Sequence, residues 1–324
     1  MVTKLRVGMI GCGRMGNGHM HNLKALDTVN IVAVCDILEA TVNAAAATTG
    51  ARPYQNAMRM LDEEDLDAVY VTTNTAYHAD LGVAVLESGR NLFLEKPLAF
   101  NAQDAYRLTE TAKKHGQMHA VGHQWRYLQG VDVAKKYLLN RPLSVVRLQY
   151  YWTWPLVSWI ADRATGGGQV MDQGIHLLDL GRYFAGNVVE VYAQYTLNAR
   201  KDDAFPNWDG QVVAGRFDGG AVLSLTTTYA LFQEITPPAQ VDLVSKEILV
   251  SITPDETRIM TPNKTTIYKE SVPSSALQDQ AFVQACLNND DSLIRSTIFD
   301  ASQSLSVVLA ANQSAAKGQI VAVS

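Results

Sequence analysis

The chain has 324 residues, 47% of them hydrophobic and 18% charged, with a formal charge of -5, which is the composition of a folded globular protein and excludes a disordered chain. Lysines and arginines are scattered rather than gathered into a basic stripe, which argues against nucleic acid as a ligand, and no run approaches the roughly 18 apolar residues of a membrane span. At about 150 residues per domain, the length predicts two domains.

The opening "MVTKLRVGMIGCG" lacks a long apolar stretch before a small-residue cleavage site, so a cytoplasmic location is expected. "LRVGMIGCGRMGNGHMHNLKAL" then reads as strand, turn and helix: an apolar run Leu5 to Ile10, glycines at 11, 13 and 16, and helical spacing through Met20, Leu23 and Leu26. Gly11 permits the tight turn, Gly13 lets backbone approach a pyrophosphate and Gly16 allows close packing of helix on strand, with Arg14 and Met15 between them on the same loop. "VNIVAVCDI" is a second strand ending in Asp36, twenty residues after Gly16. A carboxylate there accepts hydrogen bonds from ribose hydroxyls and repels a 2'-phosphate, and Ile37 beside it supplies no cation, so NAD is favoured over NADP.

The alternation continues with a helix at 39–49, the strand "LDAVYVTT", a helix from His78 to Ser88, the strand "RNLFLEKPLA", a helix closed by Gly116, and "QMHAVGHQWRY" as a strand running into an aromatic segment. Strands alternating with helices imply a doubly wound parallel sheet, whose ligands bind beyond the carboxyl ends of the strands. Thr72, Thr73, Asn74, Glu95, Lys96 and His123 fall on that edge, and all of these but His123, together with His78, are candidate cofactor contacts. Lys96 precedes Pro97, which biases it to an extended conformation and makes a cis bond available.

From residue 123 the character changes. A helix near Val131 to Leu139 precedes the aromatic strand "PLSVVRLQYYWTW", and four of the five tryptophans lie between 125 and 159. Trp125, Arg126, Trp154 and Trp159 are candidate substrate contacts, since tryptophan offers an apolar face to sugar C–H groups and an N–H donor. "GGGQVMDQGIHLLDLGRYF" places Asp172 and His176 four residues apart, on one face if the segment is an α-helix, which suits a metal site, an acid/base pair or packing. A metal needs a further ligand, and the other histidines belong to the first part of the chain, so none is expected. Asp179, a turn beyond, is expected to be structural. Successive β-rich runs from "VEVYAQYTLNAR" to "TRIMT" argue an antiparallel sheet, and helices follow from about Ala276 and Ser296, the last ending at Gly318. Cys12, Cys35 and Cys286 form no C-x-x-C pair and are expected as reduced thiols.

Together, "GMIGCGRMG", Asp36, "EKPLA" and "DQGIHLLD" closely resemble the glucose-fructose oxidoreductase, inositol dehydrogenase and MocA family of NAD(P)-dependent oxidoreductases, over nearly the whole chain. The resemblance implies an α/β protein: an N-terminal Rossmann domain with a doubly wound parallel sheet (residues 1–122), and a C-terminal α/β domain (123–324) with an open, mainly antiparallel sheet. That second domain would bind substrate and form a homodimer or homotetramer. The resemblance further implies hydride transfer to or from a sugar, inositol or related polyol or keto-sugar, with Lys96, Asp172 and His176 in the catalytic positions. Two other activities suit the same fold, a non-enzymatic NAD-dependent sugar sensor and an NAD-using glycosidase.

Overall fold

In the computed structural model, which describes residues 4–324, the apolar run Leu5–Ile10 forms β1 and turns through the glycine loop into α1 (Arg14–Lys24). There follow β2 (Val29–Cys35), α2 (Glu39–Thr49), β3 (Arg52–Tyr54), α3 (Ala57–Glu63), β4 (Ala68–Val71), α4 (His78–Glu87), β5 (Asn91–Leu94), α5 (Ala102–His115) and β6 (His119–Val121). The six strands are all parallel in the order β3-β2-β1-β4-β5-β6, the doubly wound arrangement expected of the alternation. Their apolar faces pack with α1 around Val7, Met9, Met20, Leu23, Val34, Tyr70 and Phe93.

The remaining chain begins with α6 (Gln129–Leu138), β7 (Leu143–Thr153) and the short helices α7 (Ser158–Ala161) and α8 (Arg163–Gly166). A single π-helical turn, Val170–Gly174, leads into α9 (Ile175–Ala185). Then come β8 (Val188–Thr196), β9 (Gly210–Phe217), β10 (Val222–Leu231), β11 (Gln240–Ser245), β12 (Ile248–Ile252), β13 (Glu256–Thr261), β14 (Lys264–Lys269), α10 (Ser274–Asn288), α11 (Ile298–Lys317) and β15 (Val321–Ala322). These nine strands form one sheet, β14-β13-β12-β11-β7-β10-β9-β8-β15, antiparallel throughout except for the β7–β10 pair. Helix α9 packs on β7 and β11, and α6 on β12 and β13. The alternate residues Gln211, Val213 and Phe217 of β9 and Leu223, Leu225, Thr227 and Tyr229 of β10 are buried, as the period of two requires of a sheet covered on one face.

The chain divides into two compact units. The first runs to Tyr127 and also takes in Pro273–Ser302; the second comprises Leu128–Val272 and Gln303–Ser324. Thus α10, which the residue pattern alone leaves with the later domain, belongs to the first unit, where Phe282 meets Tyr70 and Phe93 edge-on with ring centroids 5.5 Å apart. Among the described residues no helix is long and apolar enough to cross a membrane. The three cysteines are unbridged, and burial pushes their thiols up, Cys12 and Cys286 to about 12 and Cys35 to about 11.

Gly11 sits at φ +95, a left-handed conformation that favours glycine. Gly16 is constrained by contact instead: a Cβ there would lie 2.1 Å from the Gly11 carbonyl oxygen and 2.9 Å from the Thr72 hydroxyl, whereas one at Gly13 would meet nothing within 4 Å. Gly16→Ala is therefore expected to lower the unfolding free energy by about 1–3 kcal/mol through overpacking. Gly13→Ala should stay within about 0.5 kcal/mol, as an unhindered surface change. Urea unfolding of both variants checks this, and equal losses would contradict the packing assigned to Gly16.

Candidate active-site residues

In the first unit the candidate residues gather along the carboxyl edge of the parallel sheet. The N-terminus of α1 is capped by Gly13, no side chain bonds its first amides, and its first turn carries no acidic residue. Free N–H groups at a helix N-terminus attract an anion, and the open space above Gly13 lets one approach the backbone. Arg14 and Met15 open this helix. Asp36 stands one residue past β2 with its carboxylate fixed: Oδ2 accepts from the Cys12 amide at 2.9 Å and Oδ1 from the Leu38 amide at 3.0 Å. The neighbouring Ile37 and Leu38 are exposed apolar side chains.

The ends of β4 and β5 are tied together. Thr72 donates its hydroxyl to the Gly11 carbonyl at 2.6 Å, clamping the glycine loop. Half-buried Asn74 accepts from the Ala76 amide at 3.1 Å and so caps the turn that starts toward α4, and Thr73 lies half-buried before it. His78 is buried, with Nδ1 2.8 Å from the Pro97 carbonyl and Nε2 3.1 Å from the Thr73 carbonyl, so it braces the turn that carries Lys96. Burial pushes its pKa down, outweighing the two carbonyls; the neutral ring donates at the shorter contact, to Pro97.

Lys96 follows β5 and is joined to Pro97 by a cis peptide bond. The residue is half-buried, and its amide donates to Glu95 Oε2 at 3.0 Å. Glu95 is buried and its other oxygen, Oε1, meets His19 Nε2 at 3.1 Å. Burial opposes the carboxylate charge, but the bond to His19 and the charges of His19 and Lys96 overcome it and hold Glu95 below its usual pKa.

Trp125 and Arg126 are also in this unit, and both are buried. The Arg126 guanidinium donates to the Arg295 carbonyl and lies 3.6 Å from Asp300, contacts that hold α11's approach to the segment after β6.

In the second unit, Asp172 lies in the π-helical turn and His176 in the first turn of α9. The segment is thus not a regular α-helix through both residues: a π turn carries Asp172 and an α-helix His176. A Cβ on Gly174 would meet the Gln169 carbonyl, five residues back, at 3.4 Å, and Leu225 and Thr227 of β10 at 3.5 and 3.6 Å. Asp172 accepts from the Tyr229 hydroxyl at 3.2 Å, and both groups are buried. Burial first, and the Asp172 charge second, push Tyr229 well above its ordinary pKa, which keeps the phenol protonated and donating. His176 is buried as well. Asp179 has a structural partner, accepting from Ser304 on α11 at 2.8 Å, while Arg182 donates to the same hydroxyl at 2.8 Å. Trp154 lies against Phe205 with centroids 4.6 Å apart and under the Arg200 guanidinium at 5.6 Å, and half-buried Trp159 accepts the Thr165 hydroxyl at its carbonyl, 2.6 Å away.

Two groups here escaped the reading of the residues. Tyr229 ends the run of alternately buried positions on β10, so a polar side chain at a core-facing register was its signal. His19 falls on the buried stripe of α1 with Gly16, Met20 and Leu23, and was legible in the same way.

Residues 5–123 match the Gfo/Idh/MocA model described as an oxidoreductase family with an NAD-binding Rossmann fold, and residues 142–241 match the C-terminal domain of the same family. The chain belongs to the Gfo/Idh/MocA oxidoreductase family, and its N-terminal sheet is an NAD-binding Rossmann domain. It is 28% identical to the myo-inositol 2-dehydrogenase of Thermotoga maritima over 67% of this chain and 66% of that protein. It is 25% identical to the D-apiose dehydrogenase of Paraburkholderia graminis over 89% and 82% of the two chains. The aligned part thus spans about two thirds of the first relative's length. The crystal structure of the WlbA dehydrogenase from Bordetella pertussis, in complex with NADH and UDP-GlcNAcA, matches over 99% of both chains with a TM-score of 0.84 and 25% identity.

Tyr229→Phe removes the phenol donor to the Asp172 carboxylate and leaves the packing intact. The expected cost is about 1.5–3 kcal/mol, the range for a hydrogen bond to a charged group. Denaturant unfolding measures it, and a loss well below that range would mean that Asp172 does not depend on Tyr229.

Proposed function

We propose that this protein is an NAD-dependent dehydrogenase or reductase of a sugar, inositol or related polyol or keto-sugar. The observation that carries the reading is the joint presence of an intact NAD-binding loop with Asp36 and of Lys96, Asp172 and His176, with Asp36, Lys96 and Asp172 held by the contacts described above and His176 buried. The names of the relatives, a myo-inositol 2-dehydrogenase and a D-apiose dehydrogenase, support a polyhydroxylated substrate.

The first unit fits a dinucleotide on its own features. The start of α1, whose first amides no side chain bonds, would hold the pyrophosphate, Gly13 would let it come close, and Asp36 would accept from the ribose hydroxyls, with exposed Ile37 and Leu38 beside them. When bound, the nicotinamide accepts or returns the hydride. Oxidation of an alcohol carbon requires its hydroxyl proton to leave as the carbonyl forms, and the His176 imidazole is the base that takes it. Asp172, itself bonded by Tyr229, orients the imidazole and stabilises the imidazolium. Lys96 donates to the substrate oxygen, stabilising alkoxide character in one direction and polarising the ketone in the other.

Residues 123–324 would supply the substrate-binding and assembly functions. Tyr192, Val212 and Val222 project from one face of the nine-stranded sheet with 39%, 48% and 50% exposure, apolar surface that supports pairing between copies of the chain through that face.

His176→Ala and Lys96→Ala should each retain NAD affinity while losing turnover by about 10²- to 10⁴-fold, the range for general acid/base groups. The measurement is absorbance at the NADH band with inositols, aldoses and keto-sugars, alongside NAD titration. Near-normal turnover in either variant removes its assigned role, and a strong preference for NADP would overturn the reading of Asp36.

A further inference from the structure

Lys96 is anchored from inside the protein by a buried chain of charges that begins on α1 and ends on α10. His19 lies on the inward stripe of α1, 2% exposed, and both its ring nitrogens face carboxylates: Nδ1 is 2.7 Å from Asp279 Oδ1 and Nε2 is 3.1 Å from Glu95 Oε1. Asp279 is fully buried on α10, and its second oxygen accepts from the Asn22 side chain at 2.8 Å. The second oxygen of Glu95 accepts from the Lys96 amide at 3.0 Å. The walls are aromatic, with the Phe93 and Tyr70 ring centroids 4.9 and 5.4 Å from that of His19. Where Glu95 packs on the next strand end there is no slack: a Cβ on Gly122 would lie 2.8 Å from Glu95 Oε1.

A histidine between two buried carboxylates serves both only as a cation, donating from each nitrogen. Burial opposes that charge, but Asp279 and Glu95 overcome it and push His19 up to about 10. The protonated ring lets Glu95 stay ionised in a dry pocket, since an unpaired carboxylate there would take up a proton. An ionised Glu95 fixes the Lys96 backbone through a charge-assisted bond and sets a negative charge beside the lysine ammonium.

We propose that His19 and Asp279 are positioning residues for Lys96, acting through Glu95. Neither touches the reacting atoms. This rests on the reading of Lys96 as the group that stabilises the substrate oxygen. It assigns the chain a further pair of functional residues, one from the cofactor-loop helix and one from a helix some 260 residues later in the sequence.

The experiment compares Glu95→Gln, His19→Gln, Asp279→Asn and the double variant Glu95→Gln/His19→Gln in the full-length protein. In Glu95→Gln the anion beside Lys96 is gone; in His19→Gln the buried carboxylate loses its cation and takes up a proton, so the anion is lost again. In both, the charge-assisted bond that fixes the Lys96 backbone is lost and the lysine turn is held less firmly, and reductive labelling of Lys96 by pyridoxal phosphate and borohydride, read by peptide mass spectrometry, should be faster by about threefold or more. Turnover should fall about 10- to 100-fold in kcat, and in His19→Gln NAD affinity should stay unchanged, as for a misplaced reacting group. The double variant should be no worse than the poorer single one, because both act through one chain of contacts. Asp279→Asn, which preserves shape and leaves the His19–Glu95 pair, should lie between wild type and His19→Gln. Labelling of Lys96 at the wild-type rate in folded Glu95→Gln or His19→Gln, or a loss confined to melting temperature with kcat intact, overturns the proposal. If the wild-type protein oxidises none of the polyols tested, the proposed function fails, while the labelling still decides the present inference.

Discussion

Helix α1 begins where Gly16 lies against the Gly11 carbonyl and the Thr72 hydroxyl, an approach that leaves no room for a Cβ. That single steric condition sets the depth of the helix on the sheet, and much of the first unit follows from it. The uncapped amides at its start are brought to the strand ends, where an anion is bound by dipole and N–H groups together. One turn later the same inward stripe delivers His19 to Glu95, so the helix that serves the cofactor loop also serves the lysine turn. A shift of α1 by a side chain's width would disturb both.

The second unit solves a different problem, that of placing a carboxylate within a covered sheet face. Asp172 is buried, and a buried charge needs partners. One comes from β10, where the period-two register points Tyr229 inward, and the wide π turn seats Gly174 on Leu225 and Thr227 of the same strand. The extra backbone width of that turn is what separates the observed placement of Asp172 from the one a regular helix would give. Asp179 is treated in the opposite manner. It is tied through Ser304 to α11 and shares that hydroxyl with Arg182, and so contributes to helix packing.

The elements with a local signature were readable from the residues: the glycine loop by its spacing, the 39–49 helix by its alanine-rich run, and β9 and β10 by their alternation. What escaped did so for identifiable reasons. The strand β3 has only three residues and contains Pro53, and β14, "KTTIYK", is an edge strand with lysines at both ends and mostly exposed side chains, so neither has an apolar signature. Helix α10 was recognised as a helix, but its docking beside Tyr70 and Phe93 is a long-range event that no local window contains. The π turn has the same residue content as an α-helical one. Among the candidate residues, Lys96, Asp172 and His176 stood out by motif, and the glycines and Asp36 by spacing. Arg126 and Trp125 stood out by residue type alone, and residue type says nothing about the carbonyl of Arg295 or about burial.

Two buried histidines at the same sheet edge show why burial by itself does not decide protonation. His78 is bonded to two carbonyls and to no carboxylate, and the cost of burying a cation prevails, so its pKa falls and it works as a neutral brace between Thr73 and Pro97. His19 is as deeply buried, yet it meets two carboxylates, and its pKa rises to about 10. By linkage, the stability that His19 gains from its partners is fully present below its unfolded value of about 6.5 and is lost as pH rises through about 10. Across the neutral range the lysine turn is therefore held by a protonated histidine on one side and an unprotonated one on the other. The difference between them lies in the charge of the atoms they touch, and those atoms come from α10 and from Glu95, the residue directly before Lys96.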